Sequence, residues 1–165
     1  MHEFIISRTF SAPRSAVWKA LTDQEEMKHW WGPKGAKVIH SKMDFRVGGI
    51  CHYCFETPTG NIWGKFVYRE IDAPKHLVFA DSFSDEDGGI TRHPLAPKWP
   101  LKMLTTFTLV EHGTTTTLTI SLVPINPTNE ERKTFEEAHD SMRKGWTGTL
   151  DQLTEYLRND HDNLR

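Results

Sequence analysis

The chain has 165 residues, which is enough for one sizeable core, and we expect a single domain over residues 1–165. The formal net charge of −2 argues against a nucleic acid partner and against a polybasic membrane surface. The N-terminal sequence MHEFIISRTF lacks the features of a signal peptide, and no stretch approaches the roughly 20 apolar residues that cross a bilayer. We therefore expect a cytoplasmic protein without membrane insertion.

The N-terminal segment predicts one strand and two short helices. HEFIISRTF alternates like a strand, and SAPRSAVWKALTD predicts a helix with Ser11 as its N-cap and Pro13 in its first turn. QEEMKHWW predicts one or two further helical turns, followed by the surface turn GPKG. Because adjacent residues at a helix end cannot share one direction, we expect Trp31 to pack inward and Trp30 to border a cavity mouth.

Six consecutive strands are predicted next, separated by short stretches typical of hairpins. They are AKVIHSKMDF, GICHYCFET, NIWGKFVYREID, KHLVFADSF, LKMLTTFTLVE and TTTTLTISLVP. This order predicts an antiparallel meander. The segment 85–100, DEDGGITRHPLAPKWP, is too rich in glycine and proline to be a strand and too long for a simple turn, which makes it a candidate lid.

The C-terminal segment predicts one long amphipathic helix. Thr128 and Glu131 have capping-box spacing, which places the helix start there. Apolar side chains then recur at steps of three or four, forming one stripe: Phe135, His139, Met142, Trp146, Leu150, Leu153 and Leu157. Gly145 and Gly148 lie inside this helix, where each costs about 1 kcal/mol relative to alanine, so they indicate a close backbone approach or a gap.

These elements predict an α+β fold in which the antiparallel sheet curls round the C-terminal helix, the only element long enough to cover one sheet face. Strand parity predicts the side chains of the inner face. They are Cys51, Tyr53, Phe55, Leu77, Phe79, Phe83, Phe107, Leu109, Leu118, Ile120 and Leu122.

Four motifs, in the correct order, carry a family resemblance. They are the run from ISRTF to GPKG (6–35), FRVGG (45–49), the G-x-F-x-x-x-E-I-D-A-P-x-H-L-V-F segment (64–79) and GWTGTLDQLTEYL (145–157). The sequence resembles the activator-of-Hsp90-ATPase-like branch of the START and Bet v allergen (SRPBCC) superfamily. The resemblance implies the helix-grip fold, a seven-stranded antiparallel sheet around a long C-terminal helix, with two short helices after the first strand. It also implies a Trp-x-Gly-Pro turn and an internal cavity for an apolar ligand.

The sequence contains no motif of a serine hydrolase, a nucleotide enzyme or a zinc protease, and we expect no catalytic residue, cofactor or metal. Cys51 and Cys54 are three apart on a strand, so they point to opposite faces and do not form a redox pair. His52 and Cys54, with His40 on a neighbouring strand, are interpreted as solvent-facing residues. Arg46 is expected to tie its Arg-x-Gly-Gly turn through nearby carbonyls, with an anion-binding role as the alternative.

Two polar residues fall on the predicted inner surface. His139 lies on the helix stripe and is interpreted as a hydrogen-bonded core histidine rather than a general base. Asp81 alternates with Phe79 and Phe83, and a buried carboxylate must be paired, protonated or at a cavity rim. A rim position is the interpretation adopted.

We therefore hypothesise that the chain binds a small hydrophobic or aromatic molecule in a cavity between the sheet and the C-terminal helix, without catalysis of its own. The predicted cavity residues are Trp30, Tyr53, Phe55, Phe79, Asp81, Phe83, Phe107, His139, Met142 and Trp146. One alternative is a polyketide cyclase or dehydratase-like enzyme that uses the same cavity with His139, Asp81 or Tyr53. Another is an Hsp90-interacting ATPase activator. Hsp90 is not the expected partner because the activator's separate N-terminal domain does not occur in this sequence, and a homodimer is left open.

Overall fold

The computed structural model describes the backbone of residues 2–163 and the side chains of residues 2–159. The strands are β1 (Phe4–Phe10), β2 (Lys37–Met43), β3 (Ile50–Thr57), β4 (Gly60–Asp72), β5 (His76–Ser84), β6 (Ile90–Thr91), β7 (Met103–His112) and β8 (Thr115–Pro124). The helices are α1 (Arg14–Thr22), α2 (Gln24–Met27), α3 (Asn129–Glu137) and α4 (His139–Asn163). The predicted α+β class and element order are confirmed.

The strands form one open, curved antiparallel sheet in the order β1-β8-β7-β5-β4-β3-β2, as the predicted meander requires. The eighth strand, β6, pairs with the end of β5 and lies in the loop that the sequence predicted to contain no strand. Asp85 explains the difference: its Oδ1 accepts hydrogen bonds from the backbone N–H of Asp87 (3.0 Å) and Gly89 (2.8 Å). The tight turn returns the chain so that Ile90 pairs with Ser84.

The start of α1 differs from the prediction, whereas the start of α2 agrees with it. α1 has Pro13 rather than Ser11 at its N-cap, and no side chain caps it. α2 begins at Gln24 as predicted, and the side chain of its N-cap, Asp23, accepts from the backbone N–H of Glu25 and Glu26. Proline is tolerated at the start of a helix because the N–H that it lacks has no helical partner there.

The predicted capping box is present at the start of α3, where Thr128 and Glu131 satisfy each other's backbone N–H groups. The predicted single long helix is two helices, because the chain leaves helical geometry at Ala138 (φ −92°, ψ 1°). The Ala138 N–H bonds to the Phe135 carbonyl at 3.2 Å, a tightened turn that ends α3. α4 then runs on from His139 along the concave face of the sheet.

The core lies between this concave face, α1 and the C-terminal half of α4. Its fully buried members come from β1, β3, β4, β5, β7, β8 and the helices, and include Phe4, Phe10, Val17, Cys51, Tyr68, Leu77, Phe79, Leu109, Leu118, Ile120, Leu150 and Leu153. The predicted inner-face residues are buried except Tyr53 and Phe83, which are half-buried. Within residues 2–163, none of the helices combines the length and the apolar character needed to cross a membrane.

Candidate ligand-binding site

A cavity of about 460 Å³ lies between the concave face of the sheet, the N-terminal half of α4 and the segment 85–100. This volume falls within the usual range for small-molecule sites. We call it the first cavity. Its lining is largely apolar and aromatic: Trp31, Gly32, Pro33, Phe55, Phe83, His93, Ala96, Trp99, Leu122, Ala138, Ser141, Met142, Gly145, Trp146 and Thr149.

The two adjacent tryptophans have opposite environments, and the structure reverses the expected assignment. Trp30 is 2% exposed and lies in the core, where its Nε1 donates a hydrogen bond to the Ala20 carbonyl (2.9 Å). Trp31 lines the first cavity and packs edge-on against Trp146 and Phe66. The helical turn ends at Met27, and the Trp30 indole thereby points back toward α1. Trp31, and not Trp30, is therefore the cavity residue of this pair.

Gly32 fixes the turn that follows the tryptophans. Its φ of +108° favours glycine, and a Cβ at this position would lie 2.7 Å from the Phe55 ring. Its carbonyl accepts hydrogen bonds from Thr149 Oγ1 (2.9 Å) and Gln152 Nε2 (2.8 Å) on α4. The turn is thus joined to α4, and Pro33 closes one end of the first cavity.

The N-terminal half of α4 forms one wall of the first cavity. Met142 and Trp146 face it and are half-buried. Gly145 lies between them, and a Cβ there would have no atom within 4 Å. A Cβ on Gly148 would instead lie 3.7 Å from the Cβ of Lys34. Of the two alternatives that the helix glycines suggested, Gly145 corresponds to a gap and Gly148 to an ordinary contact.

The segment 85–100 provides the opposite wall through His93, Ala96 and Trp99. Arg92 fastens this segment to α3 by a charged hydrogen bond to Glu131 Oε2, and it also donates to the Trp99 carbonyl at 3.3 Å. The Trp99 ring packs against Phe135 with 6.0 Å between centroids. Sequence reasoning identified this segment as a candidate lid but none of its individual residues.

A second cavity of about 290 Å³ adjoins the first and contains more polar groups. The two share Pro33, Phe55, Phe83, His93 and Trp99. The remaining lining residues of the second cavity are Tyr53, Ile62, Trp63, Gly64, Asp81, Ser82, Pro100 and Met103. Strand pairing sets Tyr53 opposite Gly64, and a Cβ on Gly64 would lie 2.4 Å from the Tyr53 hydroxyl. The glycine therefore makes room for the tyrosine ring at the cavity wall.

Asp81 is the carboxylic acid of the second cavity. Its Oδ1 accepts a hydrogen bond from Thr105 Oγ1 at 2.6 Å. Burial raises the pKa of Asp81 from its ordinary value of 3.8 to about 7, and the Thr105 hydrogen bond opposes the rise. The acid is therefore partly protonated at neutral pH. From the sequence, a paired, a protonated and a cavity-rim carboxyl group were alternatives for Asp81. In the structure Asp81 is hydrogen bonded to Thr105 and also lines a cavity.

Tyr53 lies close to Asp81. Burial and the charge of Asp81 raise the pKa of the Tyr53 phenol well above its ordinary value, which keeps it neutral. The buried Nε1 of Trp31 is near this hydroxyl and opposes the rise, but its geometry falls short of a regular hydrogen bond. Polar hydrogen-bonding groups of β3 and β5 therefore meet in one small volume.

Besides Trp30, three of the residues expected at the cavity are elsewhere. Phe79 is buried against Phe66, with 4.2 Å between ring centroids, and Phe107 packs on Phe79 at 5.2 Å. His139 lies between the rings of Phe4 and Phe135, outside the lining of either cavity. Within the described part of the chain its buried Nε2 has no hydrogen-bond partner, so the expected hydrogen-bonded histidine is not found.

The remaining candidates form no site among the described residues. Cys51 and Cys54 are both buried and unbridged. Over residues 2–159, no group of three His, Cys, Asp or Glu side chains is arranged to hold a metal ion. His52 is half-buried rather than solvent-facing and bonds to the Asp85 carbonyl at 3.0 Å. Arg46 donates to the Asp44 carboxylate (2.8 Å) and not to the carbonyls expected.

Comparison with known proteins places this geometry in a family. None of the curated proteins matches the sequence significantly. Solved structures from Arthrobacter aurescens and Staphylococcus epidermidis are 27% and 28% identical, with TM-scores of 0.78 and 0.77. The alignments cover 95% and 96% of this chain and 86% and 90% of those chains.

A structure of the AHSA1 protein from Silicibacter pomeroyi is 17% identical, with a TM-score of 0.73 over 97% of this chain and 100% of that one, which shows a shared fold. The family model described as "Activator of Hsp90 ATPase homolog 1-like protein" matches residues 11–158. With nearly the whole chain matched, the protein belongs to the Activator of Hsp90 ATPase homolog 1-like family.

Proposed function

We propose that the chain binds a small hydrophobic or aromatic molecule in the first cavity, and that this binding is its function. The observation that carries the proposal is the combination of about 460 Å³ of space with a lining made almost wholly of apolar side chains. Five aromatic side chains contribute to this lining: Trp31, Phe55, Phe83, Trp99 and Trp146. They offer flat faces for stacking against a planar ligand.

The driving force for such a ligand is the burial of apolar surface, which contributes about 25 cal/mol for each Å² removed from water. Affinity then rises with ligand size until the cavity is full. Because no charge is needed, affinity in the first cavity depends little on salt. A ligand that binds only the folded protein must also raise its melting temperature.

The test measures a size series of uncharged aromatic compounds by calorimetry at two salt concentrations, with melting temperature followed in parallel. Gly145→Leu fills the gap in the α4 wall, and Gly148→Leu adds the same side chain on the Lys34 side of the helix. We expect Gly145→Leu to lose binding and Gly148→Leu to retain it. If no compound in the series stabilises the protein, or if both variants bind equally well, the proposal is wrong.

An enzyme of the cyclase or dehydratase type is the second candidate, and one observation favours it. Asp81 has a pKa of about 7, where a carboxyl group both donates and accepts protons at neutral pH. The pH dependence of turnover would then show the ionisation of one or two groups. Asp81→Asn would abolish turnover while ligand affinity was retained. A bound compound recovered unchanged after prolonged incubation argues against this candidate.

A further inference from the structure

The second cavity combines one carboxyl group with several aromatic side chains. Tyr53, Phe55, Trp63, Phe83 and Trp99 all contribute to its lining, and Asp81 is the one Asp or Glu among the described residues that line it. Aromatic faces carry a negative electrostatic potential and attract cations, most strongly where water is excluded. A carboxylate among such faces is a recognition pattern for a positively charged nitrogen.

No cation of the described chain occupies this position. Thr105, whose hydroxyl is neutral, is the side chain seen to hydrogen bond to Asp81. Lys65, Arg69 and Lys102 line a third pocket of about 190 Å³, whose lining also includes Asp81 and Ser82. None of these three cations forms an ion pair with Asp81, and Lys65 instead donates to the Gly88 carbonyl at 2.8 Å. The aromatic side chains of the second cavity thus share it with a carboxyl group that has no ion-pair partner among the described residues, which is unfavourable for its ionised form.

The two other ionisable groups of the second cavity do not repel a cation at neutral pH. Tyr53 on β3 is a neutral phenol. His93 in the segment 85–100 has its pKa lowered by burial, so its imidazole is uncharged, and its Nδ1 accepts from the Leu95 N–H at 3.0 Å. An ammonium group entering the second cavity therefore meets one acid, and none of the described residues that line this cavity is a cation.

We propose that the ligand is an apolar molecule that carries a basic amine, with its apolar body in the first cavity and its ammonium group against Asp81 in the second. This inference rests on the proposed function and assigns the chemical class of its ligand. The five residues that line both cavities mark the junction across which the ligand extends.

The test compares three probes that share one naphthalene ring and differ in their polar group: naphthylmethylamine, naphthylmethanol and naphthoic acid. At pH 8 we expect the amine to bind about tenfold or more tightly than the alcohol, and the acid to bind most weakly. Asp81→Asn keeps the shape of the side chain and an acceptor for Thr105. It should bring the amine down to the affinity of the alcohol without changing the alcohol itself. Asp87→Asn, at an exposed aspartate of the same region, is the matched control and should behave as the unmodified protein.

A second measurement on the unmodified protein is independent of whether the variant folds normally. Amine affinity should rise between pH 6 and 8 as Asp81 ionises, while the affinity of the alcohol stays constant. Near pH 7 amine binding should also release a proton, detected as a dependence of the binding enthalpy on the buffer. Equal binding of amine and alcohol, or a pH-independent preference, overturns the amine assignment and leaves apolar binding intact. Failure of all three probes to bind overturns both.

Discussion

The two halves of α4 carry the same apolar stripe but meet opposite surroundings. Leu150, Leu153 and Leu157 in the C-terminal half are 1%, 0% and 5% exposed. Met142 and Trp146 in the N-terminal half are half-buried and face the first cavity. The periodicity of a helix therefore indicates which side turns inward, but it does not indicate whether the space on that side is filled.

Neighbouring elements explain the difference. The C-terminal half is held from several directions: Arg8 on β1 donates to Thr154 (3.1 Å) and pairs with Asp151, and Gln152 bonds to the turn after α2. The N-terminal half faces the segment 85–100 across the first cavity, so Met142 and Trp146 border open space. A single helix thus stabilises the fold at one end and leaves space for a ligand at the other.

The largest contrast between the halves should come from truncating one side chain in each. We expect Leu153→Ala to lower the free energy of unfolding by about 2–5 kcal/mol, because it opens a new void in a packed region. Met142→Ala should cost about 1 kcal/mol, because Met142 already borders empty space. Urea denaturation of both variants measures this, and similar losses would contradict the distinction between a filled and a hollow half.

The next effect concerns pH and tests whether burial raises the pKa of Asp81 in the wall of the second cavity. Because the pKa of Asp81 is about 7 in the folded protein and 3.8 ordinarily, the folded chain retains a proton that the unfolded chain releases between these values. This group therefore makes stability fall as pH rises from about 4 to 7, by at most about 1.4 kcal/mol for each pH unit. The difference in unfolding free energy between the unmodified protein and Asp81→Asn should follow this course and level off above pH 7. A difference that does not vary with pH would contradict it.

A smaller loss of stability is expected at Trp146. Its ring lies 5.8 Å from Trp31 and 6.5 Å from Phe107, centroid to centroid, with the cavity on its free side. Trp146→Ala should cost nearer 1 kcal/mol than the 3–5 kcal/mol typical of a buried aromatic residue, and it should change the affinity for aromatic probes. A loss of about 3–5 kcal/mol with unchanged affinity would show that Trp146 is fully packed and does not line the cavity.

The smallest effect, with the opposite sign, is expected at the helix glycines. Gly145→Ala and Gly148→Ala should each stabilise the protein by up to about 1 kcal/mol, because alanine has the higher helix propensity. Thermal unfolding measures the gain. Only the change at Gly145 adds a methyl group to the cavity wall, so only that variant should alter the binding of the largest probes. A loss of stability at Gly145 would indicate that the position is already filled.

Most of the fold was predictable because it depends on local, periodic patterns. Strand alternation identified the inner face, and Thr128 and Glu131 marked the start of α3. Strand alternation does not predict which inner-face residues line a cavity and which are covered by other side chains. Phe79 and Phe107 lie on the expected face, yet both are buried against other aromatic rings, Phe79 against Phe66 and Phe107 against Phe79, and neither lines a cavity.

The cavity residues that sequence reasoning missed lie where the chain has no periodicity. The directions of Trp30 and Trp31 depend on how a four-residue helix ends and on the left-handed backbone of Gly32. His93 and Trp99 belong to a segment whose position is set by the contact of Arg92 with Glu131 of α3, 39 residues further along the chain. The glycines and prolines of both segments were the available signal, and they mark turns without giving the side-chain directions.

Glu131 uses its two carboxylate oxygens for two different tasks. Oε1 accepts from the Thr128 N–H (2.9 Å) at the start of α3, and Oε2 accepts from Arg92 in the segment 85–100. Both hydrogen bonds lower the pKa of this carboxyl group. The segment therefore cannot swing away without disturbing the same side chain that closes the first turn of α3. In hydrogen exchange, the amides of both regions should open as one cooperative unit, so that admission of a ligand is coupled to fraying of a helix end.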